Sequence, residues 1–175
     1  MDGCLNFVQK RASRYNGVRR KTMSIMQQMI ANHPLLEGIP DDELDLVMKC
    51  ASFQNFSPSQ NIFREGEEAK HCYLIVEGKV ILEIFNLEIG NIHVQTLGPG
   101  EVLGWSWLVP PFSWHFDARA IDSVKTIALD GEMLRQTCEE NPMLGYNLLK
   151  KFAAILEQRL QATRRQLFES YGISK

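Results

Sequence analysis

The apolar positions along this chain change period twice. Met23, Ile25, Met26, Met29 and Ile30 fall within eight residues, several of them on one face of a helix. His33-Pro34 ends that helix. Pro40-Asp41-Asp42-Glu43 opens a second, with its acidic residues in the first turn, where the helix dipole favours them. Leu44, Leu46, Val47 and Cys50 form its buried side. From residue 51 to 129 the helical spacing gives way to short apolar runs between turn signals. Residues 53–56, 62–64 and 73–76 read as strands, separated by Ser57-Pro58-Ser59, Glu65-Gly66-Glu67 and Glu77-Gly78-Lys79. Residues 80–85 pair with 92–97 across 88–91. Short strands at regular spacing predict a β-sandwich or β-roll.

Helical period returns after Asp130, which is placed to cap a helix from about 131 to 139. Asn141-Pro142 then starts a long helix, with Asn as cap and Pro in the first turn, that stops at Gly172. Leu149, Phe152, Leu156, Leu160, Thr163 and Leu167 follow one another at intervals of 3, 4, 4, 3 and 4. That is the spacing of a helix–helix seam. The stretch 148–152 is expected to pack on the chain's own strands. Leu156, Leu160, Thr163 and Leu167 are expected to meet a partner helix, making the chain a homodimer.

Between the strands and these helices lies LGPGEVLGWSWLVPPFSWHFDARA, residues 97–120. A Gly-Pro-Gly turn leads into an apolar stretch, a double-proline stop and a strand. The layout resembles the phosphate-binding cassette of cyclic-nucleotide-binding domains, of the form LGPGxxFGE(I/L)ALL…PR(A/T)ATVxA. Gly98, Pro99, Gly100, Gly104, Leu108 and Ala120 match it. PLLEGIPDDEL, IFREGE and LIVEGKV are similar to the segments that precede the cassette in that family. The resemblance covers about residues 34–171. It implies an α+β fold, a double-stranded β-helix (β-roll, or jelly roll) flanked by N-terminal helices and a long C-terminal helix. The implied division is a basic arm over 1–22, the roll with its flanking helices over 23–140, and a dimerisation helix over 141–175. Regulators of the catabolite-activator type continue past this helix into a DNA-reading domain. Only four residues follow Tyr171, so no DNA-binding domain is expected.

The chain departs from the family at two positions. The Glu that holds the ribose falls on Trp105, and the Arg that holds the phosphate falls on Trp114. The cassette's other means of holding an anion is backbone N–H groups at a helix N-terminus. Gly104 is expected to open such a helix over 105–108, with Ser106 adding a hydroxyl. Strand parity puts Trp114, Phe116, Ala118 and Ala120 on one face and His115, Asp117 and Arg119 on the other. The family's Arg position turns the first face inward, leaving Asp117 and Arg119 as an exposed ion pair. Gly104, Trp105, Ser106, Trp107, Trp114 and Phe116 are therefore the candidate ligand-binding residues. Two arrangements suit so many rings in twelve residues. They fill the old pocket as a collapsed core, or they line a cavity for a flat or apolar ligand.

Charge and cysteines add little. The net charge of −2 conceals a basic arm, in which six Lys and Arg oppose Asp2 alone over residues 1–21. Such an arm touches acidic surfaces or nucleic acid, or stays solvated, and Met23 is an alternative start that would exclude it. Arg159, Arg164 and Arg165 read as a solvated helix face, with no recognition helix beside them. Cys4, Cys50, Cys72 and Cys138 form neither a CxxC pair nor a disulfide framework, as in a cytoplasmic protein with reduced thiols. No apolar run spans a membrane. Neither paired carboxylates nor a nucleophile–base motif suggests an enzyme, and no metal set or cofactor is indicated. Three functions stay open: a dimeric sensor that does not hold its ligand in the usual cyclic-nucleotide manner, a cyclic AMP or cyclic GMP binder with rearranged contacts, and a scaffold with a filled pocket. The partner is correspondingly a small molecule, cyclic nucleotide or apolar and aromatic, or another protein.

Overall fold

The computed structural model describes residues 24–172. The basic arm, Met23 and the last three residues lie outside the described part. Helix α1, Ile25–Ala31, starts at a capping box. The Ser24 hydroxyl accepts from the Gln27 N–H at 3.2 Å, and the Gln27 side chain accepts from the Ser24 N–H at 2.7 Å. A single 3₁₀ turn at Pro34–Leu36 leads to α2, Asp41–Lys49. Eight strands follow: β1 Ala51–Phe56, β2 Asn61–Phe63, β3 His71–Glu77, β4 Val80–Asn86, β5 Gly90–Leu97, β6 Val102–Leu103, β7 Asp117–Ala120 and β8 Val124–Asp130. Helix α3, Gly131–Glu140, is capped by the Asp130 carboxylate, which accepts from the Met133 N–H at 2.9 Å. Helix α4 runs over Pro142–Ser170. Asn141 stands at its N-cap position but does not cap it. Its amide instead donates to the Thr137 carbonyl at 3.0 Å, tying α4 back to α3.

The strands form two antiparallel four-stranded sheets, ordered β1-β8-β3-β6 and β2-β7-β4-β5. This is the expected roll. The inner strands of the first sheet, β3 and β8, are buried on both faces, and the alternation of β3 shows how. Cys72 and Leu74 face the helices, while Tyr73 and Ile75 face the roll's interior. Two apolar cores result. One lies between the first sheet and the helices and contains Val47, Trp107, Ile127, Leu134, Leu144, Leu148 and Phe152. The other lies between the sheets and contains Phe56, Phe63, Tyr73, Leu103 and Trp114. The turn between β3 and β4 needs Gly78 twice over. Its φ is +86°, and a Cβ there would stand 2.3 Å from the Ser123 carbonyl oxygen.

Helix α4 divides near Phe152, except that Leu149, expected among the residues packed on the strands, is exposed. Leu144, Leu148 and Phe152 are buried against the body. Leu156, Leu160, Thr163 and Leu167 are exposed, Leu160 at 67% and Leu167 at 53%. Phe152 leaves the seam, because its ring meets Trp107 edge-on at 5.5 Å. Among the described residues no helix is long and apolar enough to cross a membrane.

His33 joins α1 to the 3₁₀ turn and is 5% exposed. Its Nδ1 accepts from the Leu35 N–H at 3.2 Å, and its Nε2 has no hydrogen-bond partner. Burial pulls the imidazole down to about 4, against a smaller upward pull from the Glu101 backbone. The unfolded chain, with His near 6.5, therefore binds more protons than the folded one between pH 6.5 and 4. Stability is complete above that window and is lost as the pH falls through it. The urea midpoint of the native chain should fall between pH 7 and 5 by more than that of His33→Asn, which keeps a capping acceptor but does not titrate there. Equal falls would show that His33 does not carry the effect.

Candidate functional site

The cassette begins at a type II turn. The Glu101 N–H donates to the Gly98 carbonyl at 3.1 Å, with Pro99 and Gly100 (φ +82°) at its centre. The Glu101 carboxylate accepts from the Gly98 N–H at 2.7 Å and closes the turn. Two backbone bonds fix it to β3: Gly100 N–H to the Ile75 carbonyl at 2.8 Å, and Ile75 N–H to the Glu101 carbonyl at 3.0 Å. Strand β6 then delivers Leu103 inward, and the chain reverses at Gly104 (φ +87°).

The expected helix after Gly104 does not form. Residues 105–108 make one turn, closed by Leu108 N–H to the Trp105 carbonyl at 3.0 Å. There is no helix N-terminus here to hold an anion. The Ser106 hydroxyl is 5% exposed and lies 3.3 Å from His115 Nδ1, so it is engaged locally. Trp105 stacks on the His115 ring at 5.9 Å and 12°.

The three tryptophans part company. Trp107 leaves the candidate set: it is fully buried in the helical core against Phe152, and its carbonyl accepts from Arg135. Its indole Nε1 has no oxygen or nitrogen partner. The nearby Cys72 thiol, fully buried, is pushed up to about 12 by that burial, so it is inert. Trp114 lies inside the roll, 5% exposed, with its indole stacked on Phe63 at 3.8 Å and 10°. Phe63 is in turn stacked on Tyr73 at 6.4 Å and 21°. The space left beside Gly104, bounded by Phe63, Trp105, Trp114 and Phe116, is about 20 Å³. That is room for about one water. Of the two ring arrangements the sequence allows, the collapsed core is the one adopted around Trp114.

Parity correctly placed Ala118 and Ala120 inward and Arg119 outward, but Arg119 has a different partner. It grips Glu83 on β4 with two hydrogen bonds of 2.9 and 3.0 Å. Hydrogen bonding to that carboxylate, then its charge, raise the Arg119 guanidinium. Asp117 instead accepts from the Glu65 N–H at 2.8 Å. The Ile81–Arg119 register places Glu83 diagonally across from Arg119, within reach of a long side chain.

Two residues at the site escaped the sequence reading. Phe63 faces inward because β2 pairs with β7, a register invisible before the fold is known. Arg159, assigned to a solvated face, is half-buried beside Gly104 and donates to the Val102 carbonyl. Its spacing from Phe152 and Ile155 was the available signal, since three and four residues on puts it on the buried stripe. Among the described residues no group of three or more His, Cys, Asp or Glu is placed to hold a metal.

The sequence profile described as "Cyclic nucleotide-binding domain" matches residues 53–141, just over half of the chain. This chain belongs to the cyclic nucleotide-binding domain family. Its matched region covers most of the roll, the cassette and α3. It is 28% identical to the Cyclic AMP receptor protein of Thermus thermophilus over 130 residues, 73% of this chain and 57% of that one. It is 22% identical to the CRP-like cAMP-activated global transcriptional regulator of Mycobacterium tuberculosis over 142 residues, 81% of this chain and 62% of that one. The chain thus spans less than two thirds of either relative. A solved structure from Geobacter metallireducens superposes with a TM-score of 0.70 at 27% identity, covering 78% of this chain and 99% of that one.

A Cβ on Gly104 would stand 2.6 Å from two Trp114 ring carbons, and φ there is in the left-handed region. Gly104→Ala should therefore cost roughly 1–3 kcal/mol and shift tryptophan emission as Trp114 is displaced. Denaturation with fluorescence detection checks both, and an unchanged midpoint and spectrum would contradict the close packing of this corner.

Proposed function

We propose that this chain is a regulatory sensor domain of the cyclic-nucleotide-binding type, working in the cytoplasm, whose cassette does not receive a cyclic nucleotide. The Trp114–Phe63 stack carries this reading. With about 20 Å³ free beside Gly104, the site is far below the roughly 300–1,000 Å³ of small-molecule pockets. Admitting a nucleotide requires Trp114 to leave the roll. Exposing a side chain of that size costs about 1.5–3 kcal/mol. The cassette's own cation, Arg119, supplies no fork for the phosphate, because it is turned outward and held by Glu83.

Calorimetric titration with cyclic AMP and cyclic GMP, on protein checked for copurified small molecules, should give no saturable heat up to millimolar nucleotide. Micromolar binding would overturn the reading and favour a rearranged cyclic-nucleotide site.

The exposed seam supports a second element of the proposal, a homodimer paired through α4. Leu156, Leu160 and Leu167 are apolar and uncovered, and Thr163 continues their spacing. Sedimentation equilibrium should show a dimer in the native chain and a monomer when Leu160→Glu and Leu167→Glu are combined. The same mass for both would remove the seam from the account.

A further inference from the structure

The stripe of α4 that packs on the body does not end where the packing ends. Leu144, Leu148 and Phe152 are buried, and Ile155, Arg159 and Ala162 continue the stripe at intervals of 3, 4 and 3. Past Phe152 the helix is less buried, with Ile155 still on the core and Arg159 bonded to the Val102 carbonyl. A groove of about 500 Å³ opens between the helix, the 3₁₀ turn at Pro34–Leu35 and the Gly100–Val102 end of the cassette turn. Ala154 and Ala162, two turns apart, leave it deep, and Leu35, Val102 and Ile155 give it an apolar lining.

Its charges are unequal in freedom. Glu101 is committed to the Gly98 N–H and closes the turn. Lys151 stands at one end, with its ammonium on the Glu37 carbonyl at 2.6 Å. Arg159 stands about 12 Å along the helix, giving one N–H to the Val102 carbonyl. A guanidinium carries five N–H donors, so most of its fork is uncommitted. Burial lowers the Arg159 guanidinium from its ordinary value, with Glu101 opposing. The groove thus joins an apolar floor of Leu35, Val102 and Ile155 to the polar Gln95 and Gln158, with Lys151 at one end and Arg159, near the Glu101 carboxylate, at the other.

We propose that this groove is a binding site for a small amphiphilic organic anion, one carboxylate, sulfonate or phosphate-ester group on an apolar body, with Arg159 holding the anion. The inference rests on the reading that the cassette is filled, and it moves ligand binding to the other side of β6. Arg159 also borders the small space beside Gly104, so one cation serves both sides of that wall. At 100° per residue the seam residues are centred about a quarter-turn around α4 from the Ile155–Arg159 stripe. A ligand in the groove therefore bears directly on how α4 seats against the roll.

The test uses two fluorescent probes with the same kind of ring body, 8-anilino-1-naphthalenesulfonate, which is an anion, and N-phenyl-1-naphthylamine, which is neutral. The sulfonate should bind saturably to the full chain. Arg159→Gln should weaken it about tenfold and leave the neutral probe unchanged. Ala162→Phe, which fills the groove, should weaken both. Circular dichroism establishes that both variants are folded, and Arg159→Gln, at a half-buried helix position, keeps the test open if Ala162→Phe is not. The β4–β5 hairpin exposes Phe85 at 60%, Leu87 at 92% and Ile89 at 75%, so Phe85→Ser with Leu87→Ser is the control and should change nothing. The inference is overturned by an absence of saturable sulfonate binding, by binding indifferent to Arg159→Gln, or by binding lost with the hairpin variant. Cyclic AMP binding that survives Ala162→Phe would retract the filled cassette instead, so the two failures are distinguishable.

Discussion

The indole of Trp114 lies 3.8 Å from the Phe63 ring at an interplanar angle of 10°, and Phe63 rests in turn on Tyr73. These rings stand inside the roll, in the core between its two sheets. A protein interior is packed to the density of an organic crystal, so one volume cannot serve both as core and as pocket. Gly104 makes the same point from the opposite wall, since even a methyl group there would collide with the Trp114 ring. The cassette turn keeps its geometry, with Pro99 and Gly100 at its centre and Glu101 closing it. In the proposed reading, what has changed is the use of the space that it encloses.

Much of the architecture was legible from periodicity. The helix of residues 25–31, the hairpin of β4 and β5, the Asp130 cap and the long last helix all follow from local chemistry that a single sequence displays. The candidate site was legible in part. Strand parity put Trp114 inward and Arg119 outward, as they lie. Pairings between distant segments were not legible. Phe63 reaches Trp114 because β2 lies beside β7, and Glu83 reaches Arg119 because β4 does. Trp107 left the site because the chain reverses at Gly104 and carries it to the other side of the first sheet. The short helix expected over 105–108 is a single turn, so the anion-binding N–H groups it was to provide are lost with it.

Helix α4 connects these observations. One stripe anchors it to the body through Leu148 and Phe152 and then borders the groove with Ile155 and Arg159. The adjoining face, about a quarter-turn round, presents Leu160 and Leu167 to solvent. In the proposed sensor, the groove sets how firmly the helix is seated, and the seam reports that seating to a second copy. A conformational response needs only that the ligand prefer one seating over the other. The filled roll then serves as a rigid support against which α4 moves, in place of the ligand chamber.

The most direct measurement of the central claim is nuclear magnetic resonance of the indole signals, with Trp114 assigned through Trp114→Phe. The account predicts ring-to-ring contacts between Trp114 and Phe63 that persist in millimolar cyclic AMP, with no saturable movement of the Trp114 signal. A Trp114 signal that shifts saturably as its contacts to Phe63 vanish would mean that the stack opens for the nucleotide, and that the cassette is a closed door and not a filled core.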